Sequence, residues 1–214
     1  MTSVFRRPTG RRFHIACVAV LLLGGCTHWG VQPGEEAADE RAWAQRQAAL
    51  RSLTHWTLNG RIASTGLFGF SGRVRWQQAD ETFVIDVAGP FGAGATRLTG
   101  HPQQVEIRNA DGAWVTSDPE GMLRDAYGWT LPLDGLQAWA LGLPIDGVPA
   151  AVTVNGAGQL QTLEQAGWVI HYEAYAPTDT GLAMPQKLTV DNGETRWRVL
   201  VDRWTFPTPA GPAG

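Results

Sequence analysis

Lysine is nearly missing from this 214-residue chain: Lys187 stands alone beside 16 arginines. Against 17 basic residues there are 20 acidic ones, so the net charge is −3, and charged residues make up only 17% of the chain. A nucleic-acid-binding surface calls for a basic face, and this balance argues against that function. The hydrophobic content of 43% excludes a disordered chain. Cysteine is equally scarce, with Cys17 and Cys26 the only two. No apolar run is long enough to cross a bilayer as a helix, which takes about 20 residues. Sequence patterns for catalysis are missing too. There is no phosphate-binding GxxxxGK loop and no HExxH. Gly92-Ala93-Gly94 fails as a dinucleotide fingerprint, because Arg97 stands where the third glycine belongs and the surroundings alternate like strands. Gly69-Phe70-Ser71-Gly72 brings its second glycine one residue too early for a nucleophile elbow, with no helix after it, so Ser71 reads as a strand residue on a polar face. His28, His55, His101 and His171 lie in separate segments without an i, i+4 ligand pair. Asp86 and Glu173 occupy polar strand phases, where solvated carboxylates are expected. No catalytic residue, metal site or cofactor is expected.

The N-terminus is more informative. Arg6, Arg7, Arg11 and Arg12 precede the nine-residue apolar stretch Ile15–Leu23, and Gly24-Gly25-Cys26 follows directly. A cationic segment, a short apolar core and small residues before a cysteine resemble the lipobox of a bacterial lipoprotein precursor. That resemblance implies a signal peptide over residues 1–25, a diacylglyceryl group on Cys26, cleavage before it, and acylation of the new amine. Cleavage would remove four basic residues and no acidic one, taking the net charge from −3 to −7. Cys17 would leave with the signal and Cys26 would carry lipid, so neither a disulfide nor a thiolate metal site is expected. Thr27, in place of an aspartate, reads as an outer-membrane address.

Residues 26–34 read as a lipidated tether. A helix is expected from about Glu35 to Ser52, with acidic first turns suited to the helix dipole and Trp43, Ala49, Leu50 and Leu53 near one face. From Trp56 the hydrophobic period becomes two. Strands are expected at 56–62, 68–76, 83–87, 95–99, 103–108 and 113–117, with a polar turn over Gln77–Glu81. Asp118-Pro119-Glu120 starts a helix that Gly128 stops, and Leu133, Leu136, Trp139 and Ala140 mark a second one ended by Gly142 and Pro144. Strands resume at 151–154, 159–165, 168–175, 185–191 and 195–205, the last two flanking the turn residues Asn192-Gly193. The main domain is therefore set at 35–206, with residues 207–214 as a disordered tail.

The fold class expected is mainly β with helices: a half-closed antiparallel barrel of about eleven strands, its mouth covered by short α-helices. The helices could fill the interior or lid a cavity. The ten tryptophans supply either a packed core or the walls of a lipid-sized pocket. Between two strands, Ala88-Gly89-Pro90-Phe91-Gly92-Ala93-Gly94 reads as a surface loop with a bulky apolar tip. Phe91 either folds back on the barrel or touches a membrane or partner.

Together the LGGC lipobox, LNGRIA, the Arg73-Val74-Arg75-Trp76-Gln77-Gln78 strand, AGPFG, LPLDGLQAWALGLP, AGWVIHYEAY and DNGETRWRVLVDRW resemble, in order and spacing, the LolB family of outer-membrane lipoproteins. The resemblance implies a receptor, not an enzyme, lipid-anchored to the cell outer membrane and facing the periplasm. It would take acylated lipoprotein cargo from the periplasmic carrier LolA and insert it into outer-membrane lipid. The alternative is a lipid-binding or lipid-active lipoprotein of the same membrane. Partners are then LolA, the cargo and the lipid, with no nucleic acid, and a monomer is expected. The family's protruding loop commonly ends in leucine; here Phe91 stands there, flanked by Pro90 and Gly92. Phe70, Val74, Phe83, Ile85, Leu136, Trp139, Trp168, Ile170 and Trp197 are the residues expected to line the acyl-chain cavity. Mass spectrometry of the N-terminal peptide should find Cys26 as the first residue, carrying both thioether-linked and amide-linked acyl groups; an unmodified start at any other residue would contradict the lipobox.

Overall fold

The period-two pattern is realised as one eleven-stranded antiparallel sheet in a computed structural model, which describes residues 33–65, 69–101, 103–127 and 133–207. The expected signal peptide (1–25), Cys26, residues 27–32 and residues 208–214 lie outside the described residues. Helix α1 (Pro33–Arg51) leads into β1 (His55–Thr65), β2 (Ser71–Ala79), β3 (Thr82–Ala88), β4 (Thr96–His101), β5 (Gln104–Asn109) and β6 (Gly112–Thr116). Two helices follow, α2 (Pro119–Tyr127) and α3 (Leu133–Leu141). The chain then returns through β7 (Ala150–Val154), β8 (Leu160–Gln165), β9 (Trp168–Pro177), β10 (Ala183–Asp191) and β11 (Arg196–Thr205).

Strand order is β6-β5-β4-β3-β2-β1-β11-β10-β9-β8-β7, so β1 pairs with β11 at the centre while β6 and β7 remain free edges. The sheet is curved but not closed. Because α2 and α3 form the connection from one free edge to the other, topology carries them across the concave face. That face is built by alternation: Leu58, Val74, Trp76, Phe83, Ile85, Val87 and Leu98 are buried, while Arg61, Arg73 and Arg75 point outward.

Among the boundaries that differ from the sequence expectation, two do so for a local polar reason. Strand β2 begins at Ser71, not at residue 68, because Ser64 captures Phe70: the Ser64 amide donates to the Phe70 carbonyl at 2.8 Å, and the Phe70 amide donates to Ser64 Oγ at 3.0 Å. Phe70 then folds over Gly72, where an added Cβ would come within 2.6 Å of the ring and 2.4 Å of the Ala88 carbonyl oxygen. The expected turn at Gln77–Glu81 narrows to Asp80 and Glu81, since Gln78 is drawn into β2. Its Oε1 accepts from Trp76 Nε1 at 2.9 Å and its Nε2 donates to the Asp80 carbonyl at 2.8 Å, satisfying a buried amide. The β10–β11 connection is a four-residue loop in which Asn192 Oδ1 accepts from the amides of Glu194 and Thr195.

Helix α1 covers one end of the sheet. Leu50 is fully buried, with Trp43 and Leu53 partly so. The helix passes so close to the β7–β8 turn that a Cβ on Gly158, whose φ is +66°, would meet the Ala42 carbonyl carbon at 2.5 Å. Arg46 was not foreseen as buried. It donates to the Ala183 carbonyl at 2.6 Å and lies 5.1 Å from the Tyr175 ring centroid. Burial without a carboxylate lowers its affinity for the proton.

Helix α3 is tied to the sheet by one buried side chain. Gln165, at the end of β8, accepts from Trp139 Nε1 (3.1 Å) and the Ile145 amide (2.8 Å), and donates to the carbonyls of Ile145 (3.0 Å) and Val148 (2.9 Å). Every hydrogen-bonding site of the amide is thereby used. Tyr172 adds a bond from its hydroxyl to the Trp139 carbonyl at 2.9 Å, and burial raises its pKa well above the ordinary phenol value, which keeps it a donor. Gln165→Leu strands buried groups on α3 and the loop after it, so it should cost about 3 kcal/mol, the upper range for an unsatisfied buried donor or acceptor. Urea unfolding would read the loss, and amide exchange would place it in α3 and residues 142–148.

Candidate functional site

Between the concave face and the two helices lies an apolar cavity of about 100 Å³. Six strands (β1–β4, β10 and β11) contribute aliphatic side chains or tryptophans, α2 supplies Leu123, and α3 supplies Leu133, Leu136, Trp139 and Ala140. No residue with a charged side chain lines it. Trp139 and Leu123 are each 1% exposed, so both helices pack against the inner face, while Ile62, Leu136 and Val199 in the same wall are only partly buried.

Of the nine residues expected at the cavity, Val74, Ile85, Leu136, Trp139 and Trp197 lie in its wall. The other four do not. Trp168 and Ile170 have the right strand phase and are buried, but they lie outside the cavity wall, with the Trp168 ring packed 6.3 Å from that of Trp139 on α3. Phe83 is buried at the far end of β3, paired with Gln78 and Gly100. Phe70 sits before β2 and covers Gly72. Leu58, Ile62, Trp76 and Val87 also line the cavity, all readable from the same alternation, as does Leu123, whose place depends on how α2 docks.

At one end of the sheet the β3–β4 connection projects a hydrophobic tip. Phe91 is fully exposed, and Pro90 and Gly92 are exposed beside it. The loop is braced: Gly89 donates to the Ala93 carbonyl at 2.8 Å, Gly92 to the Gly89 carbonyl at 3.1 Å, and Ala93 to the Pro90 carbonyl at 3.1 Å. Phe91 itself has φ 56° and ψ 21°, a left-handed conformation that costs a bulky L-residue about 1–2 kcal/mol. No internal packing offsets that cost, because the ring faces away from the core. An apolar side chain held outward in a strained backbone is a feature of contact sites.

The remaining candidates are ordinary surface chemistry. Asp86 accepts from Arg97 Nε at 2.6 Å, and Glu173 pairs with Lys187 and accepts from Thr189 Oγ1 at 2.8 Å. Lys187 holds the Glu173 carboxyl below its usual pKa. His55, His101 and His171 have separate polar neighbours (Thr54, Gln103 and Thr162), and no cluster among the described residues could hold a metal ion. Ser71 is an exposed strand residue. No helix among the described residues is long and apolar enough to cross a membrane.

An open antiparallel sheet with two helices across its inner face and an apolar cavity between them defines the structural class of the protein. The same fold is found in a domain from Vibrio parahaemolyticus named for outer-membrane lipoprotein sorting (TM-score 0.50, 7% identity, 83% of this chain and 95% of that one). It is found also in a DUF1329 family protein from Desulfovibrio piger (TM-score 0.52, 7% identity, 82% and 94%). The family described as outer membrane lipoprotein LolB matches residues 54–204. Outer-membrane lipoprotein LolB of Chromohalobacter salexigens is 34% identical over 194 residues, 90% of each chain. Its counterpart in Halorhodospira halophila is 33% identical over 203 residues, 92% of this chain and 98% of that one. The chain belongs to the LolB family: it is a non-enzymatic outer-membrane lipoprotein of the lipoprotein-sorting machinery.

Placing a carboxylate in the cavity is costly, because nothing there can pair with it. Ile85→Asp should therefore abolish binding of an apolar fluorescent probe or unfold the domain, whereas Val84→Asp, one residue away on the outer face, should leave both intact. Equal effects of the two changes on probe fluorescence and thermal unfolding would show that the inner face is not the binding surface.

Proposed function

We propose that the chain receives the acyl chains of lipoproteins from the periplasmic carrier LolA into this cavity and passes them to the outer membrane, with Phe91 making the membrane contact and a lipidated Cys26 holding the protein in place. The observation that carries the reading is the pairing of an apolar interior beneath two helices with a braced, outward-facing phenylalanine on one small domain. Exposing an acyl chain of roughly 15 carbons to water costs about 12 kcal/mol at ~0.8 kcal/mol per CH₂. Several chains per cargo make an unshielded crossing negligible.

The cavity has to widen to do this. An engineered apolar cavity of about 150 Å³ accommodates benzene, six carbons, so a space of about 100 Å³ is far too small for an acyl chain. Helix α3 is held by Gln165 and Tyr172, which makes α2 the element that gives way. It enters the wall through Leu123, and its cap is local: Asp118 Oδ1 accepts from the Gly121 amide at 2.9 Å. Glu120 Oε1 accepts from the Leu133 amide at 2.7 Å and links the two helices. Swinging α2 outward would remove Leu123 and join the cavity to solvent on that side. Val74, Ile85, Leu136, Trp139 and Trp197 would then contact the acyl chains. No nucleotide-binding motif is present, so cargo moves down a difference in affinity among carrier, cavity and bilayer.

Delivery falls to the loop of Pro90, Phe91 and Gly92. Full burial of a phenylalanine is worth about 1.5–3 kcal/mol, enough to bias a transient contact and too little to anchor a protein. Phe91→Glu should fold normally and accept lipoprotein from the carrier at an unchanged rate, yet lose most transfer to liposomes, while Phe91→Leu should keep both half-reactions. Equal impairment of receipt and release in Phe91→Glu would make the loop a carrier-docking element instead.

A further inference from the structure

Beside the Phe91 loop, the outer face of the sheet carries more positive charge than its carboxylates neutralise. Arg61 on β1 and Arg73 on β2 are direct cross-strand partners, an arrangement of like charges that disfavours the sheet. Arg75 stands opposite Asp86 on β3, but that carboxylate is held by Arg97 at 2.6 Å. Asp202 is held by Arg61 at 2.8 Å. Arg73 and Arg75 are exposed and have no carboxylate partner among the described residues. They line two adjoining shallow clefts: Arg73 shares one with Arg61, Pro90 and Phe91, and Arg73 with Arg75 shares the next. Arg73 pairs with Ala88, the last residue of β3, and so stands at the base of the finger. Arg75 lies two residues, about 7 Å, farther along the strand.

We propose that Arg73 and Arg75, with Arg61 behind them, bind the phosphates of anionic phospholipid headgroups, so that the Phe91 finger docks on a negatively charged bilayer surface in a set orientation. This rests on the reading of Phe91 as the membrane contact. Guanidinium forks match phosphate oxygens in pairs, and these forks stand on adjacent strands rather than on a mobile segment. The patch is also the local exception in a chain of net charge −3. An anionic surface therefore repels the molecule as a whole and attracts this corner, which turns charge into orientation. Phosphate anchoring of the arginines would also relieve the Arg61–Arg73 opposition that the free protein tolerates.

The test uses the full chain, reconstituted into vesicles of phosphatidylcholine alone or containing phosphatidylglycerol, with an environment-sensitive fluorophore on Ala93→Cys. The blue-shifted fraction reports the ratio of bilayer-bound to free loop. Phosphatidylglycerol should raise that ratio, and the double variant Arg73→Gln/Arg75→Gln should lower it again by roughly 30-fold at low salt, the effect of two basic side chains at an anionic surface. The variant should behave like the parent on phosphatidylcholine and should melt at the same temperature or higher, since a like-charge opposition is gone. A phosphatidylglycerol increment that survives in the variant would overturn the site. So would inorganic phosphate raising the melting temperature of the parent but not of the variant without vesicles, because that would assign a soluble anion. If Phe91→Glu leaves the shift on phosphatidylcholine intact, the loop reading beneath this proposal fails, and the arginine site fails with it.

Discussion

An open sheet with an apolar inner face cannot stand uncovered in water, and among the described residues the stretch between its two free edges is placed to cover it. The two free edges, β6 and β7, are joined through α2 and α3, so the same connection that completes the topology must also close the concavity. Its hold depends on Gln165, whose amide spans Trp139, Ile145 and Val148. Replacing water around four buried polar groups by a single side chain makes that attachment cooperative and specific. The cavity exists because this anchoring lies over β8 and β9, while Leu123 of α2 covers the opposite side without filling it.

The cover thus has a strongly tied half and a lightly tied half, and the contrast is physical in origin. Helix α3 contributes Leu133, Trp139, Ala140 and Leu141 to the core, donates a hydrogen bond to Gln165 of β8 and accepts one from Tyr172 of β9. Helix α2 contributes Leu123, backed by the partly buried Met122, and its cap comes from its own N-terminal residues. Elements with few buried apolar contacts are the ones that open at low free energy. The acyl-chain reading proposed for the cavity calls for such an element, since a fully packed cover would leave no way in.

The outer surface divides in the same manner between what is satisfied and what is left open. Asp86, Glu173, Asp191 and Asp202 each have an arginine or lysine partner. Asp191 is held below its usual pKa, first by the Gly193 amide and then by Arg196. Exposed pairs of this kind add little stability, but they cancel charge, which leaves the corner near Phe91 as a place where it is not cancelled. The strained, exposed Phe91 stands at that corner.

Alternation by itself determined eleven strands and their inward faces, because side-chain direction in a strand follows from the pleat and needs no knowledge of the partner. Helix caps at Asp118 and breakers at Gly142 and Pro144 likewise placed α2 and α3 from local chemistry alone. The order of motifs was enough to identify the family. Inward phase, however, is not the same as facing a space. Trp168 obeys the pattern as well as Trp197 does, yet Trp139 of α3 packs on the first, and only the second lines the cavity. Whether Phe91 folded back or pointed out depended on a braced turn in the left-handed region. Gln165 and Arg46 look like surface residues in sequence and are buried because carbonyls from distant segments reach them. Those outcomes belong to tertiary structure, since they depend on which element lies across another, and no local period encodes that.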